Sequence, residues 1–155
     1  MTRLTKLFVR QPFTQSGQEQ KQLVQSVLDL LVTFPVQILT GAKAEDADSF
    51  KQAFEHRSGL PFTPKNFRTE RLGLLKQADK MVVIRAEMSE SGAFEIAYNI
   101  ASGLKLPIFF AIWKPFPIKT TLLRDLDDLC PVTYAQFDQA EELKASLSDF
   151  LIEQF

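Results

Sequence analysis

The chain has 155 residues, 45% hydrophobic and 24% charged, and its 18 Lys and Arg nearly balance 19 Asp and Glu, giving a formal charge of -1. That length fits one domain, 1–155, able to bury about two thirds of the surface its unfolded form exposes. The charge balance excludes a global field for a nucleic acid polymer or an anionic membrane, and one cysteine (Cys130) with one histidine (His56) excludes an internal disulfide and a Cys- or His-rich metal centre.

The opening "MTRLTKLFVRQPF" turns polar after a short apolar run, so neither a signal peptide nor a membrane span is expected there, and the expected location is cytoplasmic. "LTKLFVRQPF" reads as a first strand running into a loop at Gln11-Pro12. "GQEQKQLVQSVLDLLVTF" then sets Leu23, Val27, Leu30, Leu31 and Phe34 at helical spacing after a Ser16 cap, with Pro35 closing the helix. "VQIL" is a second short strand. Residues 41–68 mix a short helix with Gly, Pro and polar turns. "FRTERLGLLKQAD" reads as a helix with Leu72, Leu74 and Leu75 available for burial, and "KMVVI" as a central strand covered on both faces. A helix follows from about Gly92. "LPIFFAIW" repeats the buried-strand pattern, "TTLLRDLDDL" predicts a short helix, "VTYAQF" a last strand, and "AEELKASLSDFLIEQF" a terminal amphipathic helix. Alternation of strands and helices predicts an α/β fold, a doubly wound sheet of about five mainly parallel strands flanked by helices.

Such sheets bind ligands beyond the carboxyl ends of their strands, at a topological switch point. That rule selects three loops. Residues 10–17 carry Arg10, Thr14, Ser16 and Gly17; residues 85–95 carry Ser89, Ser91 and Gly92; residues 113–121 carry Lys119, Thr120 and Thr121. Their hydroxyls, backbone N–H groups and cations suit a phosphate or a sugar.

"SESGAFEIAYNIASGL" sets Glu95 among small and apolar residues near a helix start. Two readings of it stay open: a first-turn carboxylate stabilising the helix dipole, or an ionised nucleophile, partly dried by Phe94 and Ile96, for attack on an anomeric carbon. "SESG" is either a turn and helix cap or an anion cradle, and it matches neither a Walker loop nor a dinucleotide fingerprint. Arg10 is a phosphate fork or a surface charge. Lys119 and Thr120 add phosphate contacts or open a solvated helix, and Glu70 with Arg71 reads as an exposed charged pair. His56 and Cys130 have no partners evident in sequence. Most of the 14 Phe fall at core periodicities, so no base-stacking platform is expected from them.

The block "QADKMVVIRAEMSESGAFEIAYNIASGLKLPI" resembles the nucleoside 2-deoxyribosyltransferase family, including its 2'-deoxynucleoside 5'-phosphate N-hydrolase branch. Ala78-Asp79, "KMVVI", "RAEMSES", "GAFEIAYN" and "SGLKLPI" follow the family's order of helix end, strand, polar loop, Glu-bearing helix and strand start. "LFVRQPF" looks like its first strand and substrate loop. The resemblance implies a flavodoxin-like sheet, Glu95 as the nucleophile that attacks C1' of the sugar, no metal or organic cofactor, and a homodimer or larger homo-oligomer. The implied partner is a small-molecule nucleoside or nucleotide, not a nucleic acid polymer or a membrane. Arg10, Ser89, Ser91, Lys119 and Thr120 favour hydrolysis of a monophosphate over base exchange.

The sequence departs from the family at Arg71, which takes the position of an Asp that assists the leaving base. Glu70 beside it is the substitute acid. Ser89 replaces a further Asp of the transferases, and Ala97 a residue that is commonly Gly. Arg71 also supports a second reading, a nucleotide-sensing module that has lost turnover. A third is an NAD-cleaving domain.

Overall fold

The apolar strand runs and amphipathic helices alternate in space as they do in sequence. The computed structural model describes residues 3–12, 17–46 and 48–155. Among them the elements run β1 (Thr5–Arg10), α1 (Gln18–Leu31), β2 (Val36–Ile38), α2 (Ser49–Ser58), α3 (Pro64–Gln77), β3 (Lys80–Arg85), α4 (Glu90–Ala101), β4 (Ile108–Trp113), β5 (Val132–Phe137) and α5 (Lys144–Ile152). The strands form one sheet in the order β2-β1-β3-β4-β5, and every neighbouring pair is parallel. This is the expected doubly wound α/β sheet, with the flavodoxin-like strand order.

Two cores cover the sheet, because successive side chains of a strand point to opposite faces. Leu7, Val9, Val82, Ile84, Phe109 and Ala111 pack against Val24, Val27, Leu28 and Leu31 of α1 and Leu147 and Phe150 of α5. Phe8, Met81, Val83, Ile108, Phe110 and Ile112 pack on the other face against Leu75 of α3 and Ile96 of α4. β3 and β4 are therefore apolar along nearly their whole length, as their sequence runs predict.

Two local expectations change. "TTLLRDLDDL" forms two 3-10 turns, Thr121–Leu123 and Leu126–Asp128, because Asp125 between them sits at φ 53 and breaks a continuous right-handed helix. The terminal segment splits into a 3-10 turn at Ala140–Leu143 and then α5. Leu75 is fully buried on α3, whereas Leu72 and Leu74 are only partly covered. The expected Ser16 cap of α1 lies outside the described residues, and Gly17, at φ 96, stands at the N-cap position.

No helix among the described residues is long and apolar enough to cross a membrane.

Candidate active site

Strand order reverses at β1, whose neighbours are β2 on one side and β3 on the other, so the carboxyl ends of β1 and β3 flank a crevice. Arg10 is the last residue of β1 and pairs in register with Val83. α3 turns Arg71 and Leu75 toward the sheet, followed by buried Ala78 just past its end, and α4 turns Gly92, Glu95, Ile96 and Asn99 inward; both stripes have helical spacing. Each stripe thus carries one charged residue at a core-facing position. The two helices cover the same sheet face, and the charges meet.

Arg71 and Glu95 form a fork-on-fork pair, with Nε donating to Oε2 at 2.8 Å and Nη2 to Oε1 at 3.2 Å. Arg10 adds an ion pair from Nη1 to Glu95 Oε1 at 3.2 Å. Arg10 Nη2 also donates to Ser89 Oγ at 3.1 Å, and the same hydroxyl accepts from Gly92 N at 3.0 Å as the cap of α4. A Cβ on Gly92 would stand 3.4 Å from Ser89 and 3.5 Å from Arg10 Cγ, so the helix start packs closely on the arginine. The Arg71 guanidinium lies over the Phe8 ring, 4.5 Å from its centroid. All three charged residues are buried: Arg10 is 3% exposed, Arg71 8% and Glu95 4%. Burial pushes Arg10 below its ordinary value, Glu95 opposes this, and the like charge of Arg71 reinforces it.

This trio forms the floor of a cleft of about 370 Å³. Its walls are Phe50, Phe62, Phe67 and Leu72, and Phe94, Ser91 and Arg68 also line it. Phe50, Phe62 and Phe67 touch one another with ring centroids 5.3 to 5.5 Å apart, and Phe54 supports Phe62 and Phe67 from the core. Such pairs add about 0.5–1.5 kcal/mol each beyond area burial, so the wall is a stable surface. A second cavity, of about 420 Å³, shares Phe50, Phe67 and Arg71 with the first and is otherwise lined by residues including Thr40, Lys43, Glu45, Arg57 and Glu70.

The structure brings Arg10, Ser89, Ser91, Gly92 and Glu95 together. Ser89 is engaged in capping α4 and in holding Arg10, while Ser91 is exposed at the cleft. Thr14 and Ser16 lie outside the described residues. Gly17 is exposed at the start of α1, and Lys119 and Thr120 are exposed ahead of a 3-10 turn, outside the lining of either cavity. The loop carrying them is tethered by Arg85, which donates to the carbonyls of Phe116 and Pro117. Glu70 is ion-paired with Arg57 and lines the second cavity rather than the cleft over Glu95.

Arg71 is no surface charge but the principal partner of Glu95. Glu95 itself stands in the second turn of α4, past the reach of the helix dipole, and two guanidinium groups take the place expected of Phe94 and Ile96. Phe94 is 51% exposed beside the cleft, and Ile96 belongs to the core. The aromatic wall has no signature in the sequence, because its members come from α2, α3 and the loop between them. Among the described residues no three His, Cys, Asp or Glu side chains converge to hold a metal ion.

Neither a protein-family description nor a curated protein matches this sequence. The fold does have a counterpart. The chain is similar to the structure of a CMP N-glycosidase, BcmB, from Clostridium botulinum, with a TM-score of 0.62 over 93% of this chain and 98% of that one. Identity is 15%, so the likeness is one of fold.

Proposed function

We propose that the cleft binds a nucleoside 5'-monophosphate or nucleoside and that Glu95 cleaves its N-glycosidic bond. The observation that carries this reading is a buried, arginine-flanked carboxylate at the floor of an aromatic cleft, at the switch point of the sheet. The fold shared with a CMP N-glycosidase supports it. One Glu95 oxygen attacks the anomeric carbon as the bond to the base breaks; the bonding pair leaves with the base, which takes up a proton. Water then attacks the sugar carbon of the ester, returning the carboxylate and releasing the sugar. A second base in place of water gives transfer. Phe50, Phe62 and Phe67 offer faces for the base, Arg10 and Ser91 offer donors to a phosphate, and the base takes its proton from solvent, made good by the proton the attacking water loses, since Glu70 is held by Arg57 outside the cleft.

One observation favours a second reading. Arg71 engages both oxygens of Glu95, and a carboxylate so held is a binding element rather than a nucleophile. In that reading the protein retains a nucleotide intact.

The test is chromatography of products and of retained ligand after incubating wild type and Glu95→Ala with deoxynucleosides, deoxynucleoside and ribonucleoside monophosphates, and NAD. Free base from wild type alone supports the glycosidase. A ligand retained unchanged supports the binding module, and neither base nor retention sinks both. A homo-oligomer, with a second copy covering the side of the cleft at exposed Phe94, belongs to the first reading, and sedimentation at several concentrations checks it.

A further inference from the structure

If Glu95 is a nucleophile, its attack gains from the withdrawal of one guanidinium partner, because two cations on its oxygens draw electron density from the attacking lone pair. Arg10 is poorly placed to move. It is tied to Ser89 Oγ, and its aliphatic stem packs within 3.5 Å of where a Gly92 Cβ would lie. Arg71 differs: its hydrogen bonds among the described residues go to Glu95 alone, and its guanidinium lies on the flat face of Phe8. It also borders both cavities.

The second cavity contains a counter-charge without a hydrogen-bonded partner. The Glu45 carboxylate accepts no hydrogen bond and joins no ion pair among the described residues. Its backbone is nonetheless fixed: its N–H donates to Gln11 Oε1 at 3.0 Å, and Gln11 Nε2 donates to Lys43 O at 2.9 Å. Thr40 ties the same segment to Val9 through both its donor and its acceptor. A carboxylate on a fixed backbone, half-buried in a cavity that Arg71 already lines, is a second docking point for that guanidinium.

We propose that Arg71 is a latch with two seats, clamping Glu95 in the free protein and moving to Glu45 through the second cavity when Glu95 is released to act. Glu45 is then a positioning residue, acting through Arg71 without touching the substrate. The inference rests on the reading of Glu95 as nucleophile, and it assigns the control of that same site. Charged groups around Glu45 are Arg57, Arg71, Asp46 and Glu70, with Lys43 on the same cavity wall. Desolvation holds the Glu45 carboxyl above its ordinary range, and Arg57 and Arg71 already pull against it from a distance.

The latch can be tested without turnover. Replacing Glu95→Gln removes the charge at the first seat, so Arg71 should move to Glu45 and displace its titration, followed by side-chain carboxyl NMR, to lower pH than in wild type. In Glu95→Gln combined with Arg71→Met that displacement should vanish. A Glu45 titration unchanged by Glu95→Gln overturns the latch, whatever the protein's activity.

Where wild type releases base, a kinetic arm adds to this. Glu45→Gln should lower kcat about tenfold with KM unchanged, and should have no such effect in an Arg71→Met background, the non-additivity expected of coupled side chains. An equal loss in both backgrounds overturns the latch. Displacement of the titration with no base released from any substrate shows the two seats but removes the glycosidase reading and the control role with it, whereas base released with an unmoved titration overturns the latch alone, so the two failures are distinguishable.

Discussion

Two buried cations stand at opposite ends of β3, and they are satisfied in different ways. At the amino end, Lys80 Nζ donates to the carbonyls of Phe150, Leu151 and Glu153 at 2.6, 3.1 and 2.7 Å, with the rings of Phe150 and Phe155 each 5.2 Å away. These acceptors are the last carbonyls of α5, groups a helix end leaves without internal partners and where the dipole favours a cation. At the carboxyl end, Arg71 is answered by a side chain, Glu95, between two cavities. Lys80 borders a cavity of about 690 Å³, yet its three acceptors are carbonyls held in place by the end of α5. Arg71 has a single acceptor residue, a side chain, and that difference separates a cation fixed by backbone from one held by a carboxylate.

The largest expected effect comes from breaking the carboxyl-end cluster. Glu95→Ala leaves Arg10 and Arg71 together without their shared counter-charge and should cost about 3–5 kcal/mol of stability, read by urea denaturation. Arg71→Met with Glu95→Leu removes a cation together with the anion and should cost less than Glu95→Ala alone. If the double variant is the less stable, packing and not charge holds this end together. Lys80→Met should cost about 1–3 kcal/mol by orphaning the α5 carbonyls, and hydrogen exchange should show the loss concentrated in α5. Exchange rising equally in α3 would erase the contrast between the two ends. Smaller again is Thr63→Ala. Thr63 Oγ1 accepts from Asn66 N at 3.0 Å, ahead of Pro64 in the first turn of α3, so its loss should cost about 1 kcal/mol at the start of the helix that carries Arg71. The Glu45 titration should be unmoved by it.

How much of this was legible depends on the range of the interaction. β3 and β4 were legible because a strand covered on both faces must be apolar throughout, and "KMVVI" and "LPIFFAIW" are. Glu95 was legible as a candidate from its helix and its neighbours, but its environment was not. The clamp joins residues 24 positions apart on two helices and exists only because both pack on one sheet face. A trace of it is in the sequence: Arg71 stands four residues before Leu75 and Glu95 three after Gly92, so each falls on the inward stripe of its helix, where a buried charge needs a partner. The aromatic wall left less. Phe50, Phe62 and Phe67 share no helical or strand period, and a count of phenylalanines does not separate a wall from a core. Glu45 had no signature at all, since its significance lies in the cavity it shares with Arg71.

The smallest effect contrasts an exposed carboxylate with the buried one. Asp46, next to Glu45, accepts from the N–H groups of Ser49 and Asp48 at 2.8 and 3.1 Å, and its pKa is lowered from 3.8 to about 2, chiefly by the Ser49 N–H. A folded-state value below the unfolded one means that this carboxylate stabilises the fold above about pH 4 and ceases to as pH falls through about 2. Wild type and Asp46→Ala should therefore differ modestly in urea midpoint at pH 7, and the difference should shrink between pH 4 and pH 2. Glu95→Ala should lower the midpoint far more at pH 7, because solvent does not screen its partners as it screens those of Asp46. A gap for Asp46→Ala that persists undiminished at pH 2 would mean that the side chain acts through the shape of the turn and not through its charge, and the contrast between solvated and buried carboxylates would then have to rest on Glu95 alone.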